Sequence, residues 1–207
     1  LSKDMTKLPH LLTMTATPIP RTLALTVLGD LDITFINQMP KDRIPIKTWV
    51  VPKEKRSPAY EWIKKQLITD NSQAYIVCPF IEESIVETLK SVKAAKKEFE
   101  SLIKIFSPLN VELLHGRMKA NQKEQVMSNF NLGQTQVLVS TPVVEVGLDN
   151  PNAKVILIEG AERFGLASLH QLRGRVGRGN RKSYCLLFTE NENPEIIERL
   201  KLLEIYN

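Results

Sequence analysis

The chain has 207 residues, a formal net charge of +5, and a composition of 43% hydrophobic and 25% charged residues, which is ordinary for a globular protein. No apolar run approaches the roughly 18 to 20 residues needed to span a bilayer, and we recognise no signal peptide. We therefore expect no membrane partner and a reducing, cytoplasmic setting, in which Cys78 and Cys185 are buried, unreactive thiols within apolar segments. The basic charge permits an anionic partner without requiring one.

The first 40 residues hold a predicted strand followed by a turn that two prolines fix. Residues 11–14 are typical of a buried strand, and the prolines that follow end it and allow a helix to begin. Thr15 and Thr17 then lie at the carboxyl end of a strand, where open α/β sheets place ligand-contacting groups. Turn capping explains these two threonines equally well. The polar, proline-bracketed segment 39–45 is interpreted as an interdomain linker.

After this linker, predicted strands and helices alternate, which indicates a parallel α/β sheet flanked by helices. The expected strands are 46–51, 74–78, 111–114, 137–140, 154–158 and 182–189. The expected helices are 57–68, 83–106, 121–130 and one that begins at Pro194. Apolar residues at helical spacing predict which face of each helix is buried.

The most informative stretch is Gln171-Leu172-Arg173-Gly174-Arg175-Val176-Gly177-Arg178. If residues 169–177 are mostly helical, Gln171, Arg175 and Arg178 share one face and form a donor array suited to a phosphate. The glycines at 174 and 177 remove Cβ atoms, so that another backbone or a nucleotide can approach closely. A solvated basic helix end is the alternative, but the interleaved glycines and the apolar lead-in favour a sensor of phosphate charge.

A second candidate site is the loop that follows the predicted strand 137–140. It contains Gly147 and Asp149, and the carboxylate is suited to a ribose hydroxyl or to orienting an arginine, with loop capping as the simpler explanation. The phosphate loop G-x-x-x-x-G-K-[ST] is absent, because no Gly-Lys pair occurs in the chain. No acidic pair follows a hydrophobic strand to hold magnesium, and we assign no metal ligand. The chain therefore carries half of a nucleotide-hydrolysing site.

Three segments resemble motifs III, V and VI of superfamily-two helicases, in that order: Thr15 to Pro18, Thr141 to Asp149, and Gln171 to Arg178. The finer resemblance is to the RecG family of DNA helicases. It is carried by the predicted strand 74–78 with Ile81-Glu82-Glu83-Ser84, by 114–119, and by Phe164-Gly165-Leu166-Ala167 ahead of Leu169-His170-Gln171.

The resemblance implies two RecA-like lobes that bind ATP with Mg between them and contact branched or duplex DNA, in a motor that remodels stalled forks and Holliday junctions. Residues 1–40 are then the tail of the first lobe, 41–193 the second lobe, and 194–207 the start of a helical extension in a piece of a longer protein. We therefore expect the isolated chain to bind nucleotide weakly without hydrolysing it, and to self-associate through exposed strands at 11–14 and 33–36.

The resemblance also implies roles for single residues. The residues facing the ATP phosphates would be Gln171, Arg175 and Arg178, the two arginines being arginine-finger candidates. Nucleotide contacts would be Gly147 and Asp149; DNA contacts would be Thr141, His115, Gly116 and Arg117; Thr15 and Thr17 would couple nucleotide state to the grip on DNA. The chain departs from the family at Pro142 and Asn150, where Thr and an aliphatic residue are more usual; Pro142 removes a backbone donor.

Two other functions stay open at this point. A transcription-repair coupling translocase of the Mfd type shares motifs III and VI, although the segments 81–84 and 115–119 favour RecG. A non-catalytic α/β module that binds RNA, DNA or an acidic protein through the arginine face is the other possibility, but it has no need of Gln171, Gly147 and Asp149 in this arrangement.

Overall fold

The computed structural model describes residues 44–79, 98–141, 150–177 and 181–206, together with the single positions 12, 14, 34 and 36. The chain divides into two compact units, Leu1–Gln38 and Met39–Asn207. Nearly all of the described residues belong to the second unit. The strands predicted at 11–14 and 33–36, and most of the helix predicted from residue 83, fall outside the described residues.

The second unit is built on a parallel sheet of six described strands. The strands are β1 Lys47–Val51, β2 Gln73–Val77, β3 Val111–Leu114, β4 Val137–Ser140, β5 Ala153–Ile158 and β6 Tyr184–Phe188. Their order across the sheet is β1-β6-β5-β2-β4-β3, and each neighbouring pair is parallel. The carboxyl ends of all six strands therefore lie along one edge, which open α/β sheets use for ligands.

The described helices connect these strands. They are α1 Arg56–Asp70, α2 at 98–106, α3 Ala120–Asn131, α4 Leu166–Arg173 and α5 Pro194–Ile205. The start of α5 follows from its sequence: Pro194 occupies the first turn, and the side chain of Asn193 accepts a hydrogen bond from the amide of Glu195 at 3.0 Å.

The helices cover the two faces of the sheet, and side chains alternate between them along each strand. In β2, for example, Tyr75 and Val77 belong to one apolar core and Ala74 and Ile76 to the other. The first core contains buried side chains of α3, α4 and α5, and the second contains those of α1 and α2. The predicted α/β class is confirmed, with a parallel sheet between two layers of helices.

Candidate functional site

The helix that carries Gln171 is shorter than the sequence predicts. α4 ends at Arg173; the amide of Arg175 then donates to the carbonyl of Leu172 at 3.0 Å, so that the backbone leaves the helix in a tight turn. Gln171 lies in the last turn of α4, whereas Arg175 lies beyond its end; both are half-buried. The continuous helix over 169–177, on which the predicted shared face depends, is therefore not formed, and a shared face of Gln171 and Arg175 stays a prediction.

Beyond the C-cap residue Gly174, the chain reaches a second glycine, Gly177, whose backbone and surroundings exclude a side chain. Its φ of +75° is in the left-handed region, which side chains rarely adopt. A Cβ atom at this position would lie 2.7 Å from Cγ1 of Ile46, just before β1. The close approach that the sequence analysis assigned to another backbone or a nucleotide is made at Gly177 by an apolar side chain of the same chain.

Arg173 is buried, although the sequence analysis gave it no role. Its Nη1 donates to the carbonyl oxygens of Leu203 at 3.0 Å and Tyr206 at 2.7 Å, and its Nη2 lies 3.0 Å from Nδ1 of His170. The helical spacing does indicate this burial, because Arg173 falls four residues after Leu169, within the apolar stripe of α4. Its guanidinium connects α4 to the carboxyl end of α5 and is directed into the protein.

A second arginine connects the same two helices near the start of α4. Arg199 of α5 donates to the carbonyl oxygens of Glu162 at 2.7 Å and Phe164 at 3.2 Å. Both carbonyls belong to the short segment between β5 and α4. The helix that presents Gln171 is therefore held against α5 at both of its ends.

The predicted DNA contacts lie at the carboxyl edge of the sheet. His115, Gly116 and Arg117 form a turn directly after β3, in which Nζ of Lys123 donates to the carbonyl of Gly116 at 2.7 Å. Gly116 and Arg117 are exposed and His115 is half-buried. This turn is available to a ligand outside the chain.

Thr141 follows β4, whose last residue is in register with the last residue of β3. The structure thus brings Thr141 to the strand end next to the His115 turn. Its side chain is buried, and among the described residues its hydroxyl has no hydrogen-bond partner. A buried hydroxyl without a partner is uncommon in proteins.

The remaining predicted site residues fall outside the described part of the chain. They are Thr15, Thr17, Gly147, Asp149 and Arg178. Asn150, one of the two departures from the family pattern, is described and buried. Its Nδ2 donates to Oε1 of Gln73 at 3.1 Å and to the carbonyl of Phe130 at 3.3 Å, so a buried polar network accommodates the amide where the family more often has an apolar side chain.

A charged cluster at the same edge was not predicted. Glu159 directly follows β5, and its carboxylate is paired with the guanidinium of Arg56 and accepts a hydrogen bond from the hydroxyl of Tyr60 at 2.5 Å. Arg56 is also paired with Glu190 at 2.8 Å. Burial raises the pKa of Glu159, despite the opposing effects of Tyr60 and Arg56, and burial also raises the pKa of Tyr60. Only contacts between distant segments reveal this cluster.

The described residues hold neither a cluster of metal ligands nor a membrane-spanning helix. No group of three or more His, Cys, Asp or Glu side chains is arranged to hold a metal ion within the described ranges. No helix in the described part of the chain is long and apolar enough to cross a membrane.

Comparison with known proteins identifies the family. The helicase conserved C-terminal domain model matches residues 58–180. The ATP-dependent DNA helicase RecG of Synechocystis is 51% identical over 197 residues, which are 95% of this chain and 23% of that protein. The structure of RecG bound to a three-way DNA junction superimposes with a TM-score of 0.76 at 42% identity, covering 93% of this chain and 24% of that one.

A more distant structure supports the fold. Dbp5 of S. cerevisiae, in a structure with RNA and ADP BeF3, matches with a TM-score of 0.60 at 15% identity over 89% of this chain and 46% of its own. The six-stranded sheet is thus a RecA-like helicase lobe. The chain spans about a quarter of the length of RecG. The chain belongs to the helicase conserved C-terminal domain family, and within it the similarity is to RecG DNA helicases.

Proposed function

We propose that this chain is the second motor lobe of an ATP-dependent DNA helicase that remodels branched DNA, including stalled forks and Holliday junctions, in recombination and repair. The observation that carries the proposal is the similarity to RecG over 95% of the chain. The same similarity favours this function over an Mfd-type translocase and over a non-catalytic binding module. In this assignment, residues 1–40 are the tail of the first lobe, 41–193 the second lobe and 194–207 the beginning of a helical extension, in a cytoplasmic protein.

The nucleotide side of the proposal rests on the end of α4. Gln171, Arg175 and Arg178 would face the ATP phosphates, and Gly147 and Asp149 would contact the nucleotide from the preceding loop. An arginine that neutralises charge on the γ-phosphoryl in the transition state contributes about 10³ to 10⁵ in turnover. The half-buried position of Arg175, just after the helix, is compatible with such a role.

The residues of this chain do not fit a complete ATP and Mg site. The described part of the chain offers no cluster of carboxylates for a metal, and the chain has no Gly-Lys phosphate loop. Magnesium, when bound with ATP, would neutralise phosphate charge, and its ligands would come from the first lobe. The isolated chain should therefore bind nucleotide weakly and not hydrolyse it.

The DNA side of the proposal rests on the carboxyl edge of the sheet. The exposed turn His115, Gly116 and Arg117 would contact DNA phosphates, and Thr141 would contact the DNA backbone with the hydroxyl that has no partner among the described residues. Because this hydroxyl is buried, DNA contact requires the surroundings of Thr141 to open. Thr15 and Thr17 would couple nucleotide state to DNA grip.

The experiment is an ATPase assay on the full-length protein that carries this chain and on the isolated 207-residue chain. Three-way junction, linear duplex and RNA are compared as stimulating ligands. We expect junction-stimulated hydrolysis by the full-length protein and none by the isolated chain. Hydrolysis by the isolated chain, or a full-length protein that DNA does not stimulate, would contradict the proposal.

A further inference from the structure

A partly buried ion pair joins Arg56, the first residue of α1, to Glu159, the residue that follows β5. The side chain of Glu159 is 4% exposed and that of Arg56 is 22% exposed. The hydroxyl of Tyr60 also donates a hydrogen bond to the carboxylate of Glu159. The guanidinium carbon of Arg56 lies 5.2 Å from the ring centroid of Phe188, so the pair is enclosed by side chains of α1 and β6.

Stability alone does not explain this arrangement. Burying two charges costs desolvation energy, and two apolar side chains of similar size often hold an interface as well or better. Arg56 also lies at the amino terminus of α1, where the helix dipole disfavours a cation. A charged pair with directed hydrogen bonds, however, fixes the relative position of two backbones more narrowly than apolar contact does.

The backbone that Glu159 positions leads directly into α4. Gly160 follows with φ of +55°, and a Cβ atom there would lie 3.1 Å from Cγ of Pro79. The carbonyl of Gly160 accepts from the amide of Arg163 at 2.9 Å, and α4 begins at Leu166. Arg199 also holds the segment between β5 and α4. We therefore expect a displacement of Glu159 to reach α4 and not to be absorbed within this segment.

We propose that Arg56, acting through Glu159, sets the position of α4 and hence of Gln171 and Arg175 relative to bound nucleotide. Arg56 is then a positioning residue for hydrolysis that itself touches neither nucleotide nor DNA. The inference rests on the proposed function, because it assigns a purpose to the ion pair only if α4 senses the nucleotide.

The chain offers a matched control. Lys154 and Asp70 also join β5 to α1, with Nζ and Oδ2 2.9 Å apart, but at the opposite edge of the sheet. Asp70 is the last residue of α1, and Lys154 lies near the start of β5. Removing this pair perturbs the same two elements without acting on the segment that enters α4.

The test uses the full-length protein with the double substitution R56M/E159Q. It removes both charges of the Arg56–Glu159 pair together, and the carbonyl of the new amide still accepts from Tyr60. Glu190 also loses its contact with Arg56, but its carboxylate is exposed to water. We expect junction affinity and thermal stability close to wild type, a KM for ATP that changes little, and a kcat for junction-stimulated hydrolysis reduced about tenfold or more, because small misplacements of catalytic groups carry penalties up to about 10². The control variant D70N/K154M, at the opposite edge of the sheet, should keep the wild-type kcat.

A second variant keeps the inference testable if the double variant does not fold. R56K retains the charge but not the planar fork of the guanidinium, and it should give a kcat between wild type and the double variant. A wild-type kcat in R56M/E159Q or in R56K, or an equal loss in D70N/K154M, would overturn the inference. Absence of DNA-stimulated hydrolysis in the unsubstituted protein would instead overturn the proposed function.

Discussion

The guanidinium of Arg173 donates to the carbonyl oxygen of Leu203 at 3.0 Å, which joins the arginine-rich end of α4 to α5. The arginines of this stretch therefore divide into two kinds. Arg173 is buried and holds two helices together, whereas Arg175, two residues later, is half-buried beyond the end of α4. A sequence of alternating arginines and glycines thus combines a structural residue with a candidate for nucleotide contact.

We expect R173A to destabilise the chain strongly. The substitution removes a charged donor from the carbonyls of Leu203 and Tyr206, and hydrogen bonds to charged groups contribute about 1.5 to 3 kcal/mol each. The free energy of unfolding, measured by urea denaturation of the 207-residue chain, should fall by about 3 kcal/mol or more, because two such bonds are lost. R181A, at an exposed arginine, serves as the control and should change it by less than about 1 kcal/mol. Equal effects of the two substitutions would contradict the structural role of Arg173.

Gly177 should tolerate a methyl group less well than Gly133. Both glycines have a left-handed φ, +75° and +74°, so alanine is strained at either position. Only at Gly177 does the added Cβ meet another atom, Cγ1 of Ile46 at 2.7 Å, while nothing lies within 4 Å at Gly133. We expect G177A to lower the free energy of unfolding by about 1 to 3 kcal/mol more than G133A, the usual cost of overpacking. The loss of stability caused by G177A should be smaller in an I46A background, measured as I46A/G177A against I46A. An equal loss in both backgrounds would exclude contact with Ile46 as its cause.

The two cysteines should be unreactive in the folded protein. Both are buried, which confirms the sequence-based prediction, and burial raises the pKa of Cys185 to about 12 and that of Cys78 well above its ordinary value. A raised pKa favours the thiol form in the folded state. The contribution of this shift to the free energy of unfolding is therefore complete at neutral pH and is lost as the pH rises through the folded-state pKa. Titration with a chromogenic disulfide at pH 8 should therefore modify neither thiol before unfolding and both in urea. Rapid modification of the native chain would contradict their burial.

The strands of the sheet were predictable because their sequences are locally unambiguous. The bounds of β3 and β4 were predicted to the residue, and those of α1 to within two residues, since apolar periodicity fixes the buried face of each element. The end of α4 was not predictable in the same way. The spacing of Gln171 and Arg175 continues the helical period, whereas the helix ends at Arg173 with Gly174 as its C-cap. The side chain of Ile46, far away in the sequence, leaves no room for a Cβ atom at Gly177, and periodicity carries no information about this contact.

The roles that motif spacing assigns to Gln171, Arg175 and the His115 turn stay predictions, although the structure describes these positions. The pair Arg56–Glu159 was missed because its members are 103 positions apart, and each alone is an ordinary charged residue near the end of an element. Neither periodicity nor a short motif carries information about a contact of this kind.

We expect the isolated chain to self-associate through its first 40 residues. Leu12, Met14 and Ile36 are 80%, 85% and 91% exposed, and exposed apolar side chains favour association with another copy. Sedimentation velocity should show concentration-dependent association for residues 1–207 and a monomer for residues 41–207. Monomers at every concentration, for residues 1–207 as well as for residues 41–207, would exclude association through this surface.

The most direct measurement is junction-stimulated ATPase activity of the full-length protein carrying R178A, with R181A, at an exposed neighbouring arginine, as the control. If the arginines after α4 neutralise the γ-phosphoryl, R178A lowers turnover by about 10³ or more while junction affinity and the melting temperature stay unchanged, and R181A behaves as wild type. Retained hydrolysis in R178A, or its loss together with folding or junction binding, would contradict the assignment of this segment as the nucleotide sensor.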